Sequence, residues 1–321
     1  MRTPAPAIAR KMAAAQLVPL PEVERLSPAC LRILGGNPGK FSLQGTNTYL
    51  VGTGHRRLLI DTGHGKPSWI AALKRALDDE KVTIQSALLT HWHPDHVGGV
   101  VELLRHSPET KLYKRDRSQN VPLSEAAAGD WLDIEDGQVF EVEGATLRAV
   151  HTPGHTTDHM VFVLQEEDAL FTGDNVLGHG TAVFEDLQTY LQSLGKMEGL
   201  VAGRGYPGHG AMLPEARTKI AEYIAHRHER ENQVLEVLGS AKEGQDGSAA
   251  AAADDATNRI ARAYSWTPME LVKVIYKAYP ESLHGPACAG VVQILQKLWV
   301  EDKVVSDGDN EWRLQEDRSS Q

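Results

Sequence analysis

With 321 residues, 41% of them hydrophobic, the chain is long enough for one large domain and a small one. No apolar run reaches the ~18–20 residues of a membrane span, and the two cysteines, Cys30 and Cys288, are too few for a disulfide framework and fit a reducing compartment. A formal net charge of −10 gives little attraction to phosphate backbones, which counts against a nucleic-acid substrate.

Residues 1–20 carry Arg2, Arg10 and Lys11 and no acid; the first is Glu22. A mitochondrial presequence has this bias, but Pro4, Pro6 and Pro19 interrupt any helix, so a disordered extension is expected over 1–20. Without a long apolar segment near the start, secretion is not expected. A cytoplasmic location is, with a mitochondrial one second.

Strand-like pattern begins at Asn47. Thr48 to Val51, the Gly52-Thr53-Gly54 turn and Arg57 to Ile60 read as a hairpin ending at Asp61-Thr62-Gly63. Pro67 to Leu77 reads as a helix with proline in its first turn. Ser86 to Thr90 is a short buried strand that runs into His91. Val97 to Leu104 reads as a helix. Strands follow at 138–142, 145–150, 160–164 and 169–171, then helices at 187–194 and 214–238. Residues 239–258 hold glycines, serine and the alanines 249–253, and read as a flexible insertion. Periodicity returns in helices at 267–276 and 287–300, the first with Thr267 as N-cap and Pro268 after it. Residues 303–306 and 312–314 can pair. Two helices and a hairpin suggest a winged-helix-like lobe. The expected domains are 21–238, a flexible insertion at 239–263 and the lobe at 264–321.

The segment Thr90-His91-Trp92-His93-Pro94-Asp95-His96 carries the chemistry. Four candidate ligands fall within six residues, directly after a buried strand. His91 and His93 are two apart, so in extended chain they point the same way. Asp95 and His96 follow Pro94 on a turn and can face a second metal. Three more candidates sit at strand ends beside glycine: His155 in Thr-Pro-Gly-His, Asp174 in Thr-Gly-Asp, and His209 in Pro-Gly-His-Gly. Five histidines and two aspartates suffice for two metals. The set suits zinc first and manganese second, since no thiolate selects between them. Such a pair supplies hydroxide near neutral pH.

Together these motifs resemble the metallo-β-lactamase superfamily. Residues 43–51, the Asp61-Thr62-Gly63 turn and the terminal helices are similar to one subgroup over roughly residues 22 to 315. It holds the lactamase-β-2-like endoribonucleases and the fungal atrochrysone carboxyl ACP thioesterases. The resemblance implies an α/β fold, an αββα sandwich. It also implies that His91, His93 and His155 bind one metal, that Asp95, His96 and His209 bind the other, and that Asp174 bridges. Asp95 is the expected proton shuttle.

Other residues carry weaker expectations. Asp61, His151 or His159 could orient a ligand by a hydrogen bond. Of these, Asp61 is equally explained by its turn, and the two histidines by packing. His64 could support a ligand or face substrate, His179 could face substrate, and His226 and His228 belong on a solvated helix face. Gln44 and Asn47 fit loop hydrogen bonds as well as substrate contacts.

Two substrates compete. A thioesterase releasing a polyketide from the acyl carrier protein of a non-reducing polyketide synthase fits the acidic chain, the 283–295 segment and the alanine-rich insertion. A single-strand endoribonuclease would need a basic, aromatic groove. Lys273, Lys277, Lys297 and Lys303 offer one, but neighbouring acids dilute them. Lys111, Lys114, Arg115 and Arg117 form the densest basic cluster, expected near the site mouth under either reading. No membrane partner is expected.

Overall fold

The computed structural model describes residues 17–116, 131–242, 265–308 and 310–315. The expected extension therefore lies mostly outside the described residues, as does most of the insertion. The chain packs as two compact units, 1–185 with 189–221, and 186–188 with 222–321.

The first unit contains two sheets. Strands β1 (Val23–Ser27), β2 (Cys30–Leu34), β3 (Asn47–Val51), β4 (Arg56–Ile60), β5 (Thr83–Leu89), β6 (Lys111–Lys114) and β7 (Trp131–Leu132) form one in sequential order. It is antiparallel through β4 and parallel from β4 to β7. The second sheet has the order β12 (Gly205–Pro207), β11 (Ala169–Gly173), β10 (Met160–Leu164), β9 (Ala145–His151), β8 (Val139–Val142).

Strand alternation builds the layers. Tyr49, Val51, Leu58, Ile60 and Leu88 point one way and meet Leu147, Met160, Phe162 and Phe171 of the second sheet. Leu50, Leu59, Ala87 and Leu89 point the other way, under helices α1 (Pro67–Glu80) and α3 (Val100–His106). Across the second sheet lies α4 (Leu187–Glu198), where Tyr190 bonds the Asn175 carbonyl and Ser193 the Pro153 carbonyl. Helix, sheet, sheet, helix is the αββα order. Among the described residues no helix is long and apolar enough to cross a membrane.

Four strands escape sequence pattern. β1 and β2 carry charge: Arg32, only 1% exposed, is paired with Glu24. β6 reads as a basic surface cluster, yet Lys114 is buried. β7 is two residues long. The helix expected from Val97 to Leu104 is broken into α2 (Pro94–Val97) and α3, with Gly98-Gly99 between them. A Cβ on Gly99 would lie 2.0 Å from the Thr62 carbonyl oxygen and 2.4 Å from the Trp69 ring, so the break lets the strand end approach the helix.

In the second unit, α6 (Pro268–Ile275) starts at a Thr267–Glu270 capping box, and α7 (His284–Val300) buries Val291, Ile294, Leu295 and Leu298. Strands β13 (Val304–Ser306) and β14 (Trp312–Leu314) pair antiparallel. Helix α5 (Ala216–Leu238) is continuous, but its residues from 222 on pack with this unit. The packing boundary thus falls inside a helix, where periodicity has no break to show it.

Candidate metal centre

All seven candidate residues converge at strand ends. His91 follows β5, His155 follows β9, Asp174 follows β11 and His209 follows β12. The turn after β5 continues into α2, with Pro94 in its first turn, and so carries His93, Asp95 and His96. The donor atoms fall in two groups: His91, His93, His155 and Asp174, and Asp95, His96 and His209.

In the first group His91 Nε2 and His93 Nδ1 are 2.9 Å apart, and His155 Nε2 is 3.3 and 3.1 Å from them. Burial, then the His96 and His155 rings, drives His91 far below its ordinary pKa. Burial and His155 lower His93 to about 4. Both rings are therefore neutral at physiological pH and present lone pairs, the state that binds a metal.

The second group differs. His209 Nε2 is 3.3 Å from Asp95 Oδ2, and His96 Nε2 is 3.6 Å from that oxygen. Asp174 stands between the groups, 3.2 Å from His209 Nε2, 3.4 Å from His96 Nε2 and 3.8 Å from His155 Nε2. Burial opposes charge on His96 and His209, but Asp174 and the other carboxylates outweigh it and raise His209 to about 9. Burial likewise acts to raise Asp95, yet His96 and His209 hold it well below the usual carboxylate range. His96 Nε2 and Asp174 Oδ1 are buried without a hydrogen-bond partner. The neutral rings of His91 and His93, the ionised carboxylates beside His96 and His209, and the orphaned buried atoms together fit divalent cations.

Neighbours fix these groups. Asp61 sits in the left-handed region at φ 59°. Its Oδ2 is 2.7 Å from His96 Nδ1, and its Oδ1 accepts the Thr90 N–H. Thr90 Oγ1 also reaches His91 Nδ1 at 2.9 Å. His159 is fully buried, and its Nε2 accepts the Asp174 N–H at 3.1 Å. The Val183 carbonyl can only accept, so the 2.8 Å contact puts the proton of His155 on Nδ1 and leaves Nε2 free. Gly208 lets the chain pass close to the site: a Cβ there would lie 2.2 Å from Asp174 Oδ1.

Other expectations divide. Asn47 donates to the Pro207 and Gly210 carbonyls, and Gln44 to the Val18 carbonyl, so both make loop bonds. His64 is exposed, and His151 bonds the Thr157 carbonyl. His226 is half-buried, and burial with Arg227 and Arg230 lowers it to about 4. His228 is exposed and lies 3.6 Å from Glu231. His179 lines a cleft of about 400 Å³ over the site, with Lys40, Phe41, Leu43, Leu177 and Val183. The basic cluster is not at this mouth. Lys114 is buried against Asp158, Lys111 and Arg115 line other depressions, and Arg117 lies outside the described residues. Lys40 is the lysine that lines the cleft.

Sequence pattern missed Thr46. It is fully buried and donates from Oγ1 to Asp95 Oδ2 at 3.1 Å, while Asn37 Nδ2 donates to the same hydroxyl at 3.0 Å. A threonine between Gly45 and Asn47 was the only available signal.

Residues 42–209 match the model of the metallo-beta-lactamase superfamily, and residues 267–312 that of the beta-lactamase associated winged helix domain. A lactamase-like protein (adaB) of Aspergillus niger is 47% identical over 298 residues, 92% of this chain and 88% of the relative. A relative from Aspergillus chevalieri named atrochrysone carboxyl ACP thioesterase is 45% identical over 294 residues, covering 90% and 87%. The crystal structure of a beta-lactamase domain protein from Burkholderia ambifaria superposes with a TM-score of 0.71 at 18% identity, covering 96% of this chain and 99% of that one, which shows the fold. Fold, donor clusters and relatives agree that the chain belongs to the metallo-beta-lactamase superfamily, as a metal-binding hydrolase with a C-terminal winged helix domain.

Proposed function

We propose that this hydrolase is a thioesterase that releases a polyketide acid, of the atrochrysone carboxylate type, from the acyl carrier protein domain of a non-reducing polyketide synthase. The observation that carries it is the 45% identity, over nine-tenths of the chain, to a relative bearing that thioesterase name. In this reading His91, His93 and His155 would hold one divalent ion and Asp95, His96 and His209 a second, with Asp174 available to both groups. Zinc fits first, manganese second.

When bound, such ions would supply Lewis-acid polarisation of a carbonyl and lower the pKa of a water. The protein's own groups do the rest. Asp61, Thr90, His159 and Val183 hold the rings and the Asp174 backbone in place. Asp95 takes a proton from the attacking water. The water oxygen bonds to the acyl carbon, the C–S bond breaks, and Asp95 hands its proton to the departing sulfur. No serine or cysteine nucleophile is needed.

The test mixes the enzyme with a loaded synthase that lacks its own releasing domain. Free polyketide acid is expected with metal-loaded enzyme and not with His155→Ala, whose metal content should fall below two ions per chain. A loaded synthase left untouched, beside cleaved single-stranded RNA, replaces the thioesterase with an endoribonuclease.

Thr46 gives a second check. Thr46→Val keeps the side-chain volume but removes the hydroxyl bonded to Asp95. Support of this kind commonly affects metal affinity by about 10–100-fold, so a loss near tenfold is expected in chelator competition, with recovery in Thr46→Ser. Native affinity in the valine variant would remove Thr46 from the site.

A further inference from the structure

We propose, resting on the thioesterase reading, that the cleft grips a flat aromatic acyl group between Phe41 and Val183. The two side chains come from separate loops, and both line the cleft that has His93, Asp95, His155 and Asp174 among its walls. Its volume, about 400 Å³, lies in the range of small-molecule sites.

Both side chains are conspicuously open. Phe41 is 73% exposed, the highest value among the exposed large hydrophobics of the described residues, and Val183 is 59% exposed. Neither packs into the core, so neither is explained by folding. A large aromatic left in water beside a reacting centre gains its burial from a ligand.

The backbones beneath them are held. In the first loop Gly39 N–H donates to the Leu43 carbonyl, Ser42 Oγ to the Asn37 carbonyl and Gly45 N–H to the Ser42 carbonyl. In the second, the Val183 carbonyl accepts from His155 Nδ1, and Glu185 N–H donates to the Gly154 carbonyl. Val183 therefore faces two ways: its carbonyl orients a candidate metal ligand, and its side chain meets the cleft. The loops display Phe41 and Val183 in set positions, which lowers the cost of ordering them around a ligand.

The acyl side of the thioester fits these walls better than the carrier arm. The arm is a chain of amides that must keep hydrogen bonds when desolvated. The side chains of Phe41, Leu43, Leu177 and Val183 offer none; besides the candidate ligands, the cleft's polar side chains are Lys40, His179 and Thr181. A fused aromatic acyl group needs only apolar area and a ring to stack on, which Phe41 supplies.

The test uses two thioesters with one leaving group, 2-naphthoyl- and acetyl-N-acetylcysteamine, and zinc-loaded full-length enzyme. Each kcat/KM is normalised to the spontaneous alkaline hydrolysis of the same thioester, which removes the difference in intrinsic reactivity. Wild type is expected to favour the naphthoyl ester. That preference should fall about tenfold in Phe41→Ala and several-fold in Val183→Ala, the scale of an altered apolar pocket contact. Phe41 is exposed, so the alanine variant leaves no core cavity, and circular dichroism checks the fold. Hydrolysis without acyl preference in wild type, or a preference unchanged in both variants, overturns the inference and leaves the thioesterase reading standing. If wild type hydrolyses neither ester nor a loaded carrier protein, both fall together. Loss of single-stranded RNA cleavage in Phe41→Ala, with thioester selectivity unmoved, replaces the acyl group with a stacked base.

Discussion

Asp95→Asn is expected to keep the fold and lose more than about 10² in turnover, the scale of a lost general acid–base group. Asp95 is ionised because His96 and His209 overcome the effect of burial. Its Oδ2 lies 3.3 Å from His209 Nε2 and accepts from Thr46 Oγ1 at 3.1 Å. Asparagine can still accept the Thr46 bond through its amide oxygen, so the local frame survives. It has no basic oxygen to take a proton and no charge to oppose a cation. Turnover and metal content measured on one sample separate the two roles. Full metal content with near-normal turnover would remove Asp95 from proton transfer. Metal loss that tracks the rate would make it a ligand alone.

Lys114→Met should produce the largest loss of stability, about 3–5 kcal/mol, the usual cost of stripping one partner from a buried ion pair. Lys114 Nζ is 2.7 Å from Asp158 Oδ2, with side chains 3% and 0% exposed. The ammonium also donates to the Arg115 and Asp116 carbonyls, and Thr156 Oγ1 donates to Asp158. Methionine matches the stem but leaves a buried carboxylate with a single hydroxyl donor. At about 2–4 °C per kcal/mol for a domain of this size, Tm should fall by roughly 10 °C. Adding Asp158→Asn should recover part of the loss, since the uncompensated charge disappears. A single variant within 1 kcal/mol of wild type, by denaturant titration, would show that water reaches the carboxylate. The pair joins the end of β6 in the first sheet to the β9–β10 loop that carries His155, so metal affinity should weaken with stability.

The basic cluster shows why sequence proximity misleads. Lys111, Lys114 and Arg115 are close in the chain, but β6 alternates its faces. Lys111 is exposed and Lys114 turns inward to an aspartate 44 positions away. Lys297 and Lys303 likewise meet Glu231 and Glu301, so two of the four lysines weighed for nucleic acid are already neutralised.

What the amino-acid order determined by itself is local. A buried strand running into His-x-His-x-Asp-His places four donors within one turn of chain, and glycine beside His155, Asp174 and His209 marks the turns that bring each inward. Alternation and helical period located most strands and helices, because burial of one face is written at spacings of two and of three to four residues. Tertiary structure decided what lies across those spacings. It set Asp61 against His96, Thr46 against Asp95, His159 against the Asp174 amide and Lys114 against Asp158, and it put Phe41 and Val183 on one cleft. Each pair joins residues 15 to 49 positions apart in the chain, or far more, through a contact that no periodicity encodes. A hydrogen bond or a buried ion pair needs its partners within about 3 Å, and only strand pairing within each sheet and, for Lys114 with Asp158, the packing of one sheet on the other bring them that close.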